Sequence, residues 1–183
     1  MNLNRRSLVL ALAVTLIAAP LAAAPNLDNT IYLDTKNGRI TILLRPDLAP
    51  KTVAQIKTLT KRGFYNGIVF HRVIEGFMAQ TGDPTGTGTG GSDLPNVPAE
   101  FSNTPFKRGT LGMARAADPN SANSQFFICL ADSSFLDGQY TVFGQVISGM
   151  DVVDKIKKGD KDANAMVTNP DKIVKMQLAV DAK

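Results

Sequence analysis

Apolar residues recur along this chain at two different periods, and each change of period marks a new element. Residues 31–35 and 39–44 are β-rich runs, and Lys36, Asn37 and Gly38 between them carry the Asn-Gly step that favours a tight hairpin. Pro46 closes the second run. From Pro50 the interval lengthens: Val53, Ile56 and Leu59 keep near-helical spacing until Gly63, so a proline at the start and a glycine at the end frame a helix. Strand-like runs return at 68–74, 77–81, 110–115, 125–130 and 141–146, followed by a short helix over 150–157 that Gly159 ends. The last run, 173–180, sets Val174, Met176, Leu178 and Val180 against Lys175 and Gln177, which predicts a strand with one buried face. About eight short strands and two helices without a βαβ rhythm predict a mainly β fold, a closed antiparallel barrel or a sandwich.

The first 24 residues do not fit this pattern. Arg5 and Arg6 form a basic start, residues 8–19 carry no charge, and Ala22, Ala23 and Ala24 give a small-residue exit. These are the parts of a secretory signal peptide, whereas a spanning helix needs roughly 20 apolar residues. Cleavage near Ala23 or Ala24 is expected, leaving residues 25–183 as one domain with no stable membrane association. Pro20 inside the segment and Pro25 just after the cut leave an uncleaved anchor as the alternative. The paired arginines in NRRSLVL match a twin-arginine export signal only in part, so either export route fits. A bacterial periplasm is the expected destination, with secretion the alternative.

Charge and cysteine content narrow the partners. The chain has 20 Lys and Arg against 16 Asp and Glu, net +4, but the leader holds two of the arginines and no acid, which leaves +2. Lys155, Lys157, Lys158 and Lys161 alternate with Asp154, Asp160 and Asp162, a solvated face rather than a phosphate-binding patch, and nucleic acid is not an expected partner. Cys129 is the only cysteine, so no intramolecular disulfide forms, and its place inside FFICL predicts burial as a small hydrophobe.

Several chemistries lack their parts. His71 is the sole histidine, without the partners that zinc or triad chemistry requires, and reads as a structural strand residue. The loop TGTGTGG has a G-x-G-x-x-G spacing at Gly86, Gly88 and Gly91, yet Ser92, Asp93, Leu94 and Pro95 follow instead of a helix, and no lysine follows as a P-loop needs. Glu75 and Glu100 are the only glutamates, and no aspartate pair sits closely spaced on a strand-like run, so a two-carboxylate hydrolase has little support.

Two segments stand out against this background. FHRVIEGFMAQTGD at 70–83 and SQFFICL at 124–130 are strand-like, yet carry Arg72, Gln80 and Gln125, which a plain buried strand avoids. Strand parity puts Phe70, Arg72 and Ile74 on one face and His71 and Val73 on the other. An arginine, two glutamines and many aromatics can bind and polarise a substrate but are poorly suited to moving protons or forming covalent intermediates.

These two segments, with GTGTGG, GTLGMARA and FLDGQYTVFGQV in the same order, resemble the cyclophilin family of peptidyl-prolyl cis-trans isomerases over residues 31–180. The resemblance implies an eight-stranded antiparallel β-barrel capped by two α-helices, in line with the element count above. It implies Arg72 as the catalytic residue, Phe77, Met78, Phe127 and Leu136 as the pocket for the proline ring, and Gln80 as the group that orients the guanidinium. Gln125, Arg115, Ala114 and Ala116 would line the groove for residues preceding the proline, with Phe135 and Tyr140 at the rim. No metal, nucleotide or redox cofactor is implied. The implied partners are unfolded or partly folded proteins and peptides containing X-Pro, acted on by a monomer.

The chain departs from familiar members of the family at Phe135, where many have tryptophan, at Tyr140, where they have histidine, and at Arg115, where they have asparagine. Loss of an indole donor at Phe135 predicts weak cyclosporin binding with catalysis largely kept. Glu75 replaces a common proline and should alter a turn rather than the mechanism. The alternative function class is a non-catalytic chaperone or peptide-binding module that holds Pro-containing segments in the same groove.

Overall fold

In the computed structural model, which describes residues 26–182, the predicted hairpin is formed by β1 (Thr30–Thr35) and β2 (Gly38–Leu44). The signal peptide expected at 1–24 lies outside the described residues. Thr35 pairs with Gly38 across the two-residue turn, in which Lys36 and Asn37 keep negative φ while Gly38, the first residue of β2, takes φ 131°.

Helix α1 (Pro50–Lys61) follows, with Val53, Ile56 and Leu59 buried as the spacing predicts. Its start has no side-chain cap of its own. Instead the Glu100 carboxylate accepts from the Lys51 and Thr52 backbone amides at 2.9 and 2.8 Å, satisfying two orphan donors and placing negative charge at the helix N-terminus. At the other end Gly63 adopts φ 68°, and the Gly63 and Phe64 amides return to the Thr60 and Leu59 carbonyls, closing the helix with a left-handed glycine cap.

The remaining strands are β3 (Arg72–Ile74), β4 (Met78–Thr81), β5 (Thr110–Met113), β6 (Phe126–Cys129), β7 (Val142–Ser148) and β8 (Ile173–Leu178). All eight form one antiparallel sheet in the order β3-β4-β6-β5-β7-β2-β1-β8. The two edge strands, β3 and β8, are not joined by a regular ladder. The seam is bridged by irregular chain: Val69 and Arg72 make isolated bridges to Lys172 and Met166, and Phe70 and Ile173 donate to the Asp171 and Ile68 carbonyls. The sheet is therefore curled into a half-barrel rather than the expected closed barrel, its edges linked by isolated bridges and single hydrogen bonds instead of a ladder.

Most strands are a residue or more shorter than predicted, and the second helix, β8 and the run leading into β3 depart furthest in length or facing. α2 (Met150–Asp154) stops short of residue 157 because the Lys157 amide is taken by the Asp171 carboxylate at 2.9 Å and the Gly159 amide by the Val73 carbonyl. A Cβ at Gly159 would run into the Ala165 carbonyl, so the close approach of these segments requires glycine. In β8, Met176 and Leu178 are buried as predicted, but Ile173 is buried and Val174 exposed, because a register shift opposite Asp34 and Thr35 reverses the alternation. Val180 lies beyond the strand in a 3-10 turn and is exposed. Phe70, placed by parity with Arg72, is instead buried in the main core, since regular pairing begins only at Arg72.

The sheet has apolar material on both sides. Val73, Ala79, Phe126 and Ile128 point into the main core, while Met78, Phe127 and Cys129 on the same strands join Phe106, Leu136 and Val142 in a second cluster outside the barrel. Burial on both faces explains why β6 reads as an unbroken apolar run.

Candidate active site

Strand register lays out the site. Arg72 lies opposite Gln80, Gln80 opposite Phe127, and Phe127 opposite Gly112, so one row of positions crosses β3, β4, β6 and β5. Alternation turns this row outward, away from the core that receives Val73 and Ala79. With no side chain at Gly112, the Phe127 ring lies over β5 and stacks on Phe106 at 5.8 Å. A Cβ at Gly112 would collide with both rings.

The opposite wall comes from the segment after β6. A 3-10 turn at Ser134–Leu136 buries Leu136 in the second cluster and leaves Phe135 at the rim, 63% exposed, with its ring 5.1 Å from Phe77. Tyr140 meets the Phe127 ring edge-on at 6.0 Å. Asp137 fixes this segment by accepting from the Phe106 amide at 2.7 Å. The result is a slot of about 440 Å³ with Phe77, Met78, Phe127 and Leu136 inside and Arg72 among its lining residues.

Arg72 donates from Nε to the Asn164 carbonyl at 3.1 Å and from Nη2 to the Asn164 side-chain oxygen at 3.5 Å. Asn164 reaches it from the turn before β8 in a left-handed conformation, φ 52°. No carboxylate lies within ion-pairing distance of Arg72 among the described residues. The guanidinium was expected to be held by Gln80. The two are cross-strand partners, but the Gln80 amide donates to the Gln125 side-chain oxygen at 2.9 Å, and Asn164 takes the guanidinium instead.

A second, polar trough of about 570 Å³ adjoins the slot and shares Gln80, Ala114 and Arg115 with it. Gln125 forms its floor, donating to the Gly88 and Gly90 carbonyls at 3.0 and 2.8 Å, and Ala116 lies on its margin. The glycine loop is organised from below by Asp83, whose carboxylate accepts from the Thr85, Gly88 and Gly90 amides and the Thr85 hydroxyl. Burial opposes this charge, but Thr85 and the loop amides prevail and hold the Asp83 carboxyl at about 2. These amides already serve a carboxylate, so the loop is not a phosphate cradle. Arg115 divides slot from trough: it donates to the Ala116, Ala117 and Gln139 carbonyls and lies 4.6 Å over the Tyr140 ring.

Neither His71 nor Cys129 faces the slot as a reactive group. His71 is buried, and desolvation outweighs the pull of Asp83 and keeps its pKa below the usual imidazole value. Cys129 lies beneath the slot floor, its thiol pushed up to about 11 by burial, which leaves it protonated and inert at neutral pH.

All twelve residues singled out in the sequence line one or both cavities: Arg72, Phe77, Met78, Phe127, Phe135, Leu136 and Tyr140 the slot, Ala116 and Gln125 the trough, and Gln80, Ala114 and Arg115 both. Residues without a predicted role also line them. Gln139 sits in the slot wall and was within reach of the motif FLDGQYTVFGQV, while Asn123, which holds Ser92 by two hydrogen bonds, lay next to SQFFICL. Asn164 carried no local signal, being far from Arg72 in the chain.

Comparison with known proteins points one way. The family model for cyclophilin type peptidyl-prolyl cis-trans isomerases matches residues 30–178. A probable peptidyl-prolyl cis-trans isomerase of Brucella suis is 56% identical over 182 residues, covering 93% of each chain. A peptidyl-prolyl cis-trans isomerase of Helicobacter pylori is 47% identical over 73% of this chain and 85% of its own. Among solved structures, the cyclophilin AquaCyp293 of Hirschia baltica superposes with a TM-score of 0.77 at 29% identity, covering 86% of this chain and 76% of its own. A cyclophilin type isomerase of Cryptosporidium parvum, crystallised in the presence of the dipeptide Ala-Pro, gives 0.74 at 30% identity, covering 81% of this chain and 98% of its own.

Proposed function

Since the chain belongs to the cyclophilin-type peptidyl-prolyl cis-trans isomerase family, we propose that it accelerates rotation about X-Pro bonds by holding the proline ring in the slot while Arg72 donates a hydrogen bond to the prolyl nitrogen. Peptide bond rotation faces a barrier of roughly 18–20 kcal/mol because the lone pair of the amide nitrogen is delocalised. As the bond twists, that lone pair localises on nitrogen and becomes a better acceptor. A donor fixed at this point binds the twisted amide more tightly than the planar one, which is differential stabilisation of the transition state. The apolar walls exclude water and strengthen the bond.

The observation that carries this reading is a guanidinium with no carboxylate partner among the described residues, lining an apolar slot walled by Phe77, Met78, Phe127 and Leu136. The Cryptosporidium relative crystallised with Ala-Pro supports proline-containing peptides as the substrate class. A protease-coupled isomerisation assay tests it. Arg72→Ala is expected to lower kcat/KM by about a hundredfold, in the range of other lost transition-state donors. An unchanged rate in a folded variant overturns the assignment. Suppression of aggregation that survives Arg72→Ala would mark the groove as a holding site as well, a role that the contiguity of slot and trough supports. The basic, apolar, small-residue order of residues 1–24 supports action in the periplasm, to be tested by N-terminal sequencing of the exported protein.

A further inference from the structure

Six arginines fall among the described residues, and their pairing divides them into two groups. Arg39, Arg45, Arg62 and Arg108 each bond a nearby aspartate, at 2.7 to 3.3 Å. Arg72 and Arg115 pair with no carboxylate, and these two are the ones that line the groove. No Asp, Glu or Lys lines either cavity, so the groove floor carries two positive charges and no fixed negative one. Charges of one sign lining a cleft with low-dielectric walls focus the local field on whatever chain enters.

The two arginines are also placed differently. Arg72 lines the slot alone, whereas Arg115 is shared between slot and trough. A peptide with its proline in the slot and a neighbouring residue in the trough must cross Arg115. That guanidinium is held in place by three backbone carbonyls and the face of Tyr140, so little side-chain freedom is lost when a ligand arrives. Carbonyl oxygens accept from its Nη1 and Nη2 groups, leave Nε without a partner, and do not cancel its unit charge.

Resting on the isomerase reading above, we propose that the groove selects X-Pro segments bearing an acidic side chain within the two residues before the proline, and that Arg115 is the specificity-determining residue. The attraction is screened by solvent, so the preference is modest, about threefold to tenfold. It falls mainly on KM, because the carboxylate meets Arg115 equally before and during rotation of the bond.

The test is an isomerisation assay on peptides with Glu, Gln or Lys at each of the two positions before proline. The full chain should show the lowest KM for Glu and the highest for Lys at one or both positions. Arg115→Gln, which retains donors for the carbonyls, should bring the Glu and Lys peptides within twofold of each other, and Arg115→Lys should keep the order. Raising salt from about 0.05 to 0.5 M should shrink the ratio in the unmodified chain, since the screening length falls several-fold, and this reads the effect even if Arg115→Gln fails to fold. Turnover of the Gln peptide with no Glu-to-Lys difference, or a full difference persisting in Arg115→Gln, overturns the proposal and leaves the isomerase reading standing. Failure to turn over any peptide removes both.

Discussion

The slot and the trough share three residues and are built in opposite ways. The slot is made by packing: Phe127 and Met78 stand on regular strands, and Gly112 opposite Phe127 leaves room for the ring to lie flat on Phe106. The trough is made by hydrogen bonds: an irregular glycine loop is held from below by Asp83 and from the side by Gln125 and Asn123. A packed wall keeps its shape because moving a ring opens a void, whereas a bonded loop keeps its shape only while every acceptor stays paired. On the proposed reading the slot takes the invariant part of the substrate, the proline ring, and the trough the variable part.

Phe127→Ala should break the slot and do most damage. It empties the centre of the second apolar cluster and removes two ring contacts, for a loss of about 3 to 5 kcal/mol in denaturant unfolding and nearly all turnover. A loss below about 1 kcal/mol would mean the cluster is loosely packed and the contrast unfounded.

Asp83→Asn should break the trough from beneath. The carboxyl is held at about 2 against an ordinary 3.8, which corresponds to about 2 kcal/mol of stability present above pH 3.8 and lost as pH falls from there through 2. The variant should lose that stability at neutral pH and show a flatter curve between pH 4 and 2. Parallel acid curves for the two proteins would remove Asp83 from its organising role.

Gln125→Ala is expected to cost about 1 kcal/mol, with the Gly88 and Gly90 carbonyls turning to water. Its kcat/KM should fall more for peptides extended ahead of the proline than for short ones, and equal losses would show that the trough does not contact substrate. Phe135→Ala, at an exposed rim, should shift stability by less than about 0.5 kcal/mol while raising KM, so a large drop in stability would show that Phe77 depends on it for its position.

The same contrast governs what the sequence revealed. Slot residues were legible because they fall in short local motifs that resemble the family's, and along β6 the alternation of Phe126 and Phe127 separates the main core from the slot. Helix α1 was legible for the same reason, its three apolar contacts and its glycine stop being local. Its N-terminal partner was not, since Glu100 arrives from 48 residues away. The Arg72 partner failed likewise. Gln80 is opposite in register, but the guanidinium is bound by Asn164, which lies 92 residues along the chain. Val174 failed because a bulge, invisible in the alternation itself, reverses the face of one residue.

The central claim is that Arg72 acts on the twisted bond while the slot holds the ring. Exchange NMR on a proline peptide, with the Phe127 and Met78 signals followed in parallel, separates the two in one sample. In Arg72→Gln the peptide should still perturb Phe127 and Met78 with a dissociation constant within about threefold of the unmodified chain, while cis-trans exchange on the protein falls by about a hundredfold. Exchange that stays fast, with the peptide still seated against Phe127, would contradict the account.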